Sequence, residues 1–190
     1  MPSQEFENLT GKILVATPFS MEGMIYNKSL IYMMHHSENG AIGFIFNQGI
    51  NKLPAEDIFK KYDIERINNL NIDVHIGGPS DIKHGFFLHS SDYCKDVLVH
   101  DQFSQLCISS NSQILDDIAN NQGPNKTIFV VGYTAWSKNQ LEEEIRNNLW
   151  IIAQANHDLI FNDTSKDKWE DALNNTGIER ESFASHLARS

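Results

Sequence analysis

The segment HIGGPSDIKHGFFLHSSDYC, from His75 to Cys94, gathers the side chains best suited to chemistry. It holds three histidines, three glycines, two aspartates and one of the chain's two cysteines. Metal binding would need several of these ligands to converge on one point. In an extended chain successive side chains alternate between faces. Ile72, Val74 and Ile76 then share one face, with His75 on the other. His89 shares its face with Phe87, while His84 falls in the connecting loop. His75 and His89 meet only if their strands pair. No helical spacing joins any two of the four histidines between His75 and His100, so hydrogen-bonded or solvated rings are expected, and neither a metal nor a cofactor. His35 and His36 are adjacent, hence on opposite faces of a strand, and at most one can serve a given site. The run GGPSD (Gly77, Gly78, Pro79, Ser80, Asp81) has the glycines of an anion-binding backbone nest, but Pro79 lacks an N–H. A rigid turn is the plainer expectation.

The stretch GYTAWSKNQL carries a second possibility. A buried strand ending at Gly132 and Tyr133 would lead straight into a helix N-terminus, where unpaired N–H groups favour an anionic or planar ligand flanked by Tyr133 and Trp136. Packing of those aromatics at a strand–helix junction is the competing expectation. Phosphate-loop, dinucleotide, nucleophile-elbow and H-E-x-x-H signatures are absent, as is any C-x-x-C pair. Serine, histidine and aspartate are plentiful, but none falls in a nucleophile pattern. Cys94 and Cys107 are too few and unpatterned for a disulfide framework, and thiols suit a reducing cytosol.

The 190 residues suit a single domain, with residues 1–10 and 179–190 expected to be flexible ends. With 15 basic and 25 acidic residues the net charge is −10. The four arginines, Arg66, Arg146, Arg180 and Arg189, are scattered. This disfavours direct nucleic-acid binding and binding to anionic membranes. The N-terminus lacks the basic and apolar regions of a secretory signal, and no apolar run is long enough to span a bilayer. A cytoplasmic protein is expected.

The elements that must hold these residues are legible as patterns. KILVAT is a first strand stopped by Pro18. SLIYMMHH and AIGFIFN flank SENG, which predicts a hairpin with a four-residue turn. Both strands are apolar on both faces, so they should be central and covered twice. Gly43 suggests a bulge or a close backbone approach. LPAEDIFKKYDI reads as a helix; IDVHI, GFFLHS, VLVH and QLCISS as strands. Ser110 with Gln113, and Ser137 with Gln140, have capping-box spacing ahead of two helices. TIFVVGY and LWIIAQA are strands, and TSKDKWEDALNNTG a last helix closed by Gly177. Strands outnumber helices without strict alternation, so the class is α+β, a mixed sheet with flanking helices.

The segments ATPFSMEGMIYNKSLIYMMHHSENGAIGFIFNQ, VHIGGPSDIKHGFFLHSS and GPNKTIFVVGYTAWSKNQLEEEIRNNLWIIAQANHDLIFNDTSKDKWEDAL, in that order, resemble the YqgE/AlgH family of bacterial proteins. The likeness covers roughly Gly11 to Gly177. The family pattern falls on His36, Gly43, Asn47, Gly77, Gly78, Pro79, His89, Gly132, Tyr133, Trp136, Gln140, Glu144, Trp150 and Trp169, among others. It departs at Thr134, Ala135 and Ser137, where the family has smaller residues, and lacks the proline that usually follows Asn47. The resemblance implies a bifurcated sheet curled into a pseudo-barrel. It implies little about activity, although some members are described as transcriptional regulators. The ligand-binding candidates are therefore His36, Asn47, Gly77, Gly78, Pro79, His89, Gly132, Tyr133, Trp136 and Gln140. The leading expectation is an accessory or regulatory protein that binds a partner or small ligand. Its rivals are a small-molecule enzyme using His36 or His89, and a transcriptional regulator.

Overall fold

The computed structural model describes residues 7–18, 25–49, 73–162 and 167–177. The helix expected at LPAEDIFKKYDI lies outside them. In chain order the elements are β1 (Lys12–Ala16), β2 (Leu30–Ser37), β3 (Gly40–Ile45), β4 (Asp73–Ile76), β5 (Ser80–Ser90), β6 (Val99–Asp101), β7 (Leu106–Ser109), α1 (Gln113–Ala119), β8 (Thr127–Ser137), α2 (Gln140–Arg146), β9 (Trp150–Gln154), α3 (His157–Phe161) and α4 (Lys168–Asn175).

One nine-stranded sheet runs in the order β6-β7-β5-β8-β3-β2-β1-β9, with β4 also paired to β8. Among the described residues, all pairings are antiparallel except β4 with β8. The long strand β8 is where the sheet divides. Ile128–Val131 run between β4 and β5, whereas Thr134–Ser137 pair with β3. Gly132, at φ +71°, stands between the two halves.

Alternation along the central strands fills two cores. Ile13, Val15, Leu30 and Tyr32 point to one face, closed by Ile160 and Phe161 of α3 and by Trp169 and Leu173 of α4. Leu14, Ala16, Ile31 and Met33 point to the other, under Leu141 of α2 with Trp136 and Trp150. The double burial expected of β2 and β3 is observed. The sheet also curls. The Tyr32 hydroxyl of β2 donates to Asp101 of β6 at 3.1 Å, and a Cβ on Gly11 would sit 2.9 Å from the same carboxylate. This brings the β6 end of the sheet back over β1 and β2, and the pseudo-barrel results.

Local differences from the sequence reading have physical reasons. The β2–β3 turn is two residues, Glu38 and Asn39, because Ser37 pairs directly with Gly40. Gly43 faces a register shift between Met33 and His35, and a Cβ there would lie 2.9 Å from the Tyr32 backbone carbonyl oxygen, so both readings of it hold. Strand β8 continues four residues past Tyr133, because β3 extends the pairing to Ser137. Helix α1 starts after Ser112, not Ser110, and its N-cap side chain makes no capping bond. Helix α3 was not foreseen; Asn156 caps it by accepting from the Asp158 N–H at 2.8 Å.

A candidate pocket beside helix α2

Helix α2 has seven residues, too few to be stable unless packed. Its inward face supplies Leu141 to the core. Beside it, the Glu144 carboxylate accepts from both buried indoles. Trp136 Nε1–H donates at 2.8 Å and Trp150 Nε1–H at 2.7 Å, both to Oε2. Gln140 Nε2–H donates to Oε1 at 3.1 Å. The two indole rings meet edge-on with centroids 6.2 Å apart, and Tyr26 lies edge-on to Trp150 at 5.9 Å. Burial holds the Tyr26 phenol above its ordinary range; a hydrogen bond with Thr134 opposes this and the Glu144 charge reinforces it. Gln140 also accepts from the N–H and hydroxyl of Ser137 at 3.0 and 3.1 Å, which is the reaching-back half of the expected capping box. The N-cap itself is Asn139, in the left-handed conformation without a side-chain cap. The helix start is not an open anion site: its first turn carries Glu142 and Glu143, which occupy the positive end of its dipole.

Glu142, two positions from Glu144, projects toward β2. Its Oε1 lies 2.9 Å from His36 Nε2. His36 Nδ1 accepts from the Leu9 N–H at 3.1 Å, so the ring proton is on Nε2 and donates to Glu142. The imidazole is 2% exposed, whereas the Glu142 side chain is 34% exposed. This pair borders an open pocket of about 480 Å³. Its walls mix cations (Lys138, Arg146), carboxylates (Glu7, Glu38) and the apolar Leu9, Ile145 and Ile152. A larger groove of about 810 Å³ follows β9, but among the described residues its only titratable lining group is His157.

The other predicted residues fall elsewhere. Gly77 and Gly78 cross against β8 at the branch. A Cβ on Gly77 would stand 2.3 Å from the Gly132 carbonyl oxygen, and one on Gly78 would stand 2.2 Å from the Tyr133 carbonyl carbon. The Gly77 N–H donates to Val131 and its carbonyl accepts from Ile45, both at 2.9 Å. With that N–H engaged and Pro79 lacking one, the segment serves as a backbone joint. Tyr133 is half-buried, edge-on to Phe86 at 6.3 Å. Asn47 pins the start of β2, accepting from the Leu30 N–H and donating to the Lys28 carbonyl, each at 2.8 Å. His89 is fully buried in β5, away from the pocket lining. The structure thus brings Trp136 with Gln140, and the glycines with Tyr133, but does not bring His89 to His36. Glu142 was missed. Its signal was the helical period, which puts Glu142, Ile145 and Arg146 on one face of LEEEIR.

A second convergence was also missed. One donor atom each from Cys94, His100 and Cys107 lies within 4.8 Å of the others. His100 and Cys107 are direct partners across β6 and β7. Cys107 is fully buried, and Cys94 and His100 are exposed. Burial, with the nearby Cys94 next in weight, pushes the Cys107 thiol up to about 12.

The family model described as AlgH-like matches residues 13–181. The chain belongs to the AlgH-like family. It is 46% identical over 187 residues to a UPF0301 protein from Rickettsia canadensis (strain McKiel), covering 98% of each chain. It is 45% identical, with the same coverage, to a UPF0301 protein from Rickettsia felis. Among solved structures it is similar to the solution structure of the AlgH protein from Pseudomonas aeruginosa, with a TM-score of 0.73 and 24% identity over 97% of each chain. A crystal structure of a protein from Corynebacterium diphtheriae matches with a TM-score of 0.70 and 20% identity, covering 91% and 90%. These two likenesses establish the fold, a single α+β domain with a curled sheet. Within this AlgH-like domain, Trp136, Gln140, Glu144 and Trp150, all positions that carry the family resemblance, form a hydrogen-bonded network that helps to seat α2.

Proposed function

We propose that this AlgH-like protein is a cytosolic accessory or regulatory protein that binds a small ligand or a partner's polar segment in the pocket beside α2. One observation carries the reading: a partly exposed carboxylate, Glu142, is held by a buried histidine, His36, at the edge of a pocket of ligand size. The buried ring fixes the carboxylate's position, and the indole–Glu144 network fixes the helix that bears it. Lys138 and Arg146 stand beside Glu142, so the wall offers both signs of charge to a ligand with polar groups of its own. Both His36 nitrogens are engaged, with Leu9 and Glu142, which favours binding over acid–base catalysis by that ring.

A thermal-shift screen against nucleotides, flavins and small organic acids tests this. A ligand selective for the native state raises the melting temperature. The rise should be lost in Glu142→Ala, which removes a partly exposed group. If no compound stabilises the protein, or if every stabilising compound acts equally on Glu142→Ala, the pocket reading fails.

A further inference from the structure

We propose that Cys94, His100 and Cys107 form a zinc site, with two thiolates and one imidazole nitrogen as ligands and a fourth position open to water. Tetrahedral zinc, with Zn–S about 2.3 Å and Zn–N about 2.0–2.1 Å, needs donor atoms roughly 3.5–3.8 Å apart. Here all three lie within 4.8 Å of one another before any metal draws them in. The geometry has one fixed and two adjustable parts. Cys107, in the buried centre of β7, is held by its strand. His100 faces it directly from β6, and directly opposed residues project from the same face of a hairpin. Cys94 comes from the loop after β5, which turns back so that its thiol donates to the Ser91 carbonyl at 3.2 Å. The two exposed side chains can close the remaining distance by rotamer adjustment.

The donor chemistry selects the ion. Two thiolates with an imidazole suit zinc, whereas magnesium and calcium require oxygen ligands. The negative charges of Asp101 and Asp92 act on Cys107, so the surroundings favour a cation. Three protein ligands at an exposed edge leave a coordination position facing solvent, the arrangement of an open zinc site. None of the three residues lines the pocket beside α2, so this site stands independently of the proposed function.

The test titrates zinc into the reduced, metal-stripped full chain against a competing chromophoric chelator, and repeats this with cobalt(II). One zinc per chain is expected, together with a near-ultraviolet thiolate-to-cobalt band. Partners outside a metal's ligand shell alone often cost about tenfold in affinity, so losing a direct ligand must cost at least roughly that. Cys94→Ser and His100→Ala, both at exposed positions, should each weaken zinc binding by that factor or more, and Cys94→Ser should diminish the cobalt band. Circular dichroism verifies that each variant is folded. Cys107→Ser extends the series if it folds, and the two exposed variants decide the matter if it does not. Absence of zinc binding, unchanged affinity in both exposed variants, or a Cys94–Cys107 disulfide that forms while the reduced protein takes up no zinc would each overturn the site.

Discussion

His89 is fully shielded from water, and both of its ring nitrogens are occupied. Nδ1–H donates to the Ser90 carbonyl at 3.0 Å, and Nε2, at 2.9 Å from Ser109 Oγ, accepts the hydroxyl proton. Burial, the largest influence, lowers its pKa below the ordinary value; the Ser90 bond and the Asp92 charge oppose this. The unfolded chain therefore takes up this proton first, near about pH 6.5. Stability from neutral His89 is fully present above that pH and is lost as pH falls toward the lower folded value. The slope reaches at most about 1.4 kcal/mol per pH unit for one proton. His89→Gln, which cannot titrate, should be less stable at neutral pH yet show a flatter decline between pH 6.5 and 5 in urea denaturation; an equal slope would assign the acid sensitivity elsewhere. Strand alternation correctly placed His89 with Phe87, and both are buried. It could not show that Tyr93 folds back edge-on over the ring at 5.6 Å, since a covering loop leaves no periodic signal. Cys94, His100 and Cys107 were illegible for a related reason. Their meeting depends on the β6–β7 register and on the path of one loop, neither of which spacing along the chain reveals.

At the scale of elements, the sequence announced the strands better than their ends. Strand β8 was readable as far as Tyr133, and its continuation depends on β3, a partner some ninety residues earlier in the chain. The GGP segment was readable as a shape-determining turn, but its role as the joint of a divided sheet required β8 to be in place. Two glycines isolate what that joint demands. Gly132 and Gly177 have nearly the same φ, +71° and +70°. Around Gly177 no atom of the other described residues lies within 4 Å of a prospective Cβ, whereas at Gly132 the Gly78 and Ser80 carbonyl oxygens would both be 2.7 Å away. Alanine at either position incurs about 1–2 kcal/mol for the left-handed conformation. Gly177→Ala should stop there. Gly132→Ala must also move β8 from the GGP segment, so its loss should exceed that of Gly177→Ala by about 2 kcal/mol or more, by analogy with overpacked interiors. Denaturation midpoints of the two variants compare them directly; equal losses would mean that the joint yields without cost.

For the molecule as a whole, class and layering followed from alternation: strands apolar on both faces require two coverings, and the structure supplies them as two cores on opposite sides of one sheet. The curl was implied only by family resemblance, because it rests on contacts such as Tyr32 with Asp101 that join distant strands. Net charge is the whole-molecule property that bears most directly on function. No helix among the described residues is long and apolar enough to cross a membrane. The chain carries 25 acidic against 15 basic residues. Nucleic-acid affinity comes largely from counterions released where lysine and arginine neutralise phosphates. Arg146 is the only arginine among the described residues, and its Nε–H donates at 3.3 Å to the Glu142 carbonyl of its own helix, next to acidic neighbours. The proposed accessory or regulatory role is therefore expected to run through a ligand or a protein partner. In a gel-shift titration of random-sequence DNA, the protein should retard nothing at low salt, where electrostatic binding is strongest, even at tens of micromolar. The matched control is a variant with several surface glutamates changed to lysine, which should begin to bind and lose that binding as salt rises. Salt-sensitive retardation by the native protein would instead reveal a basic patch that the overall charge conceals.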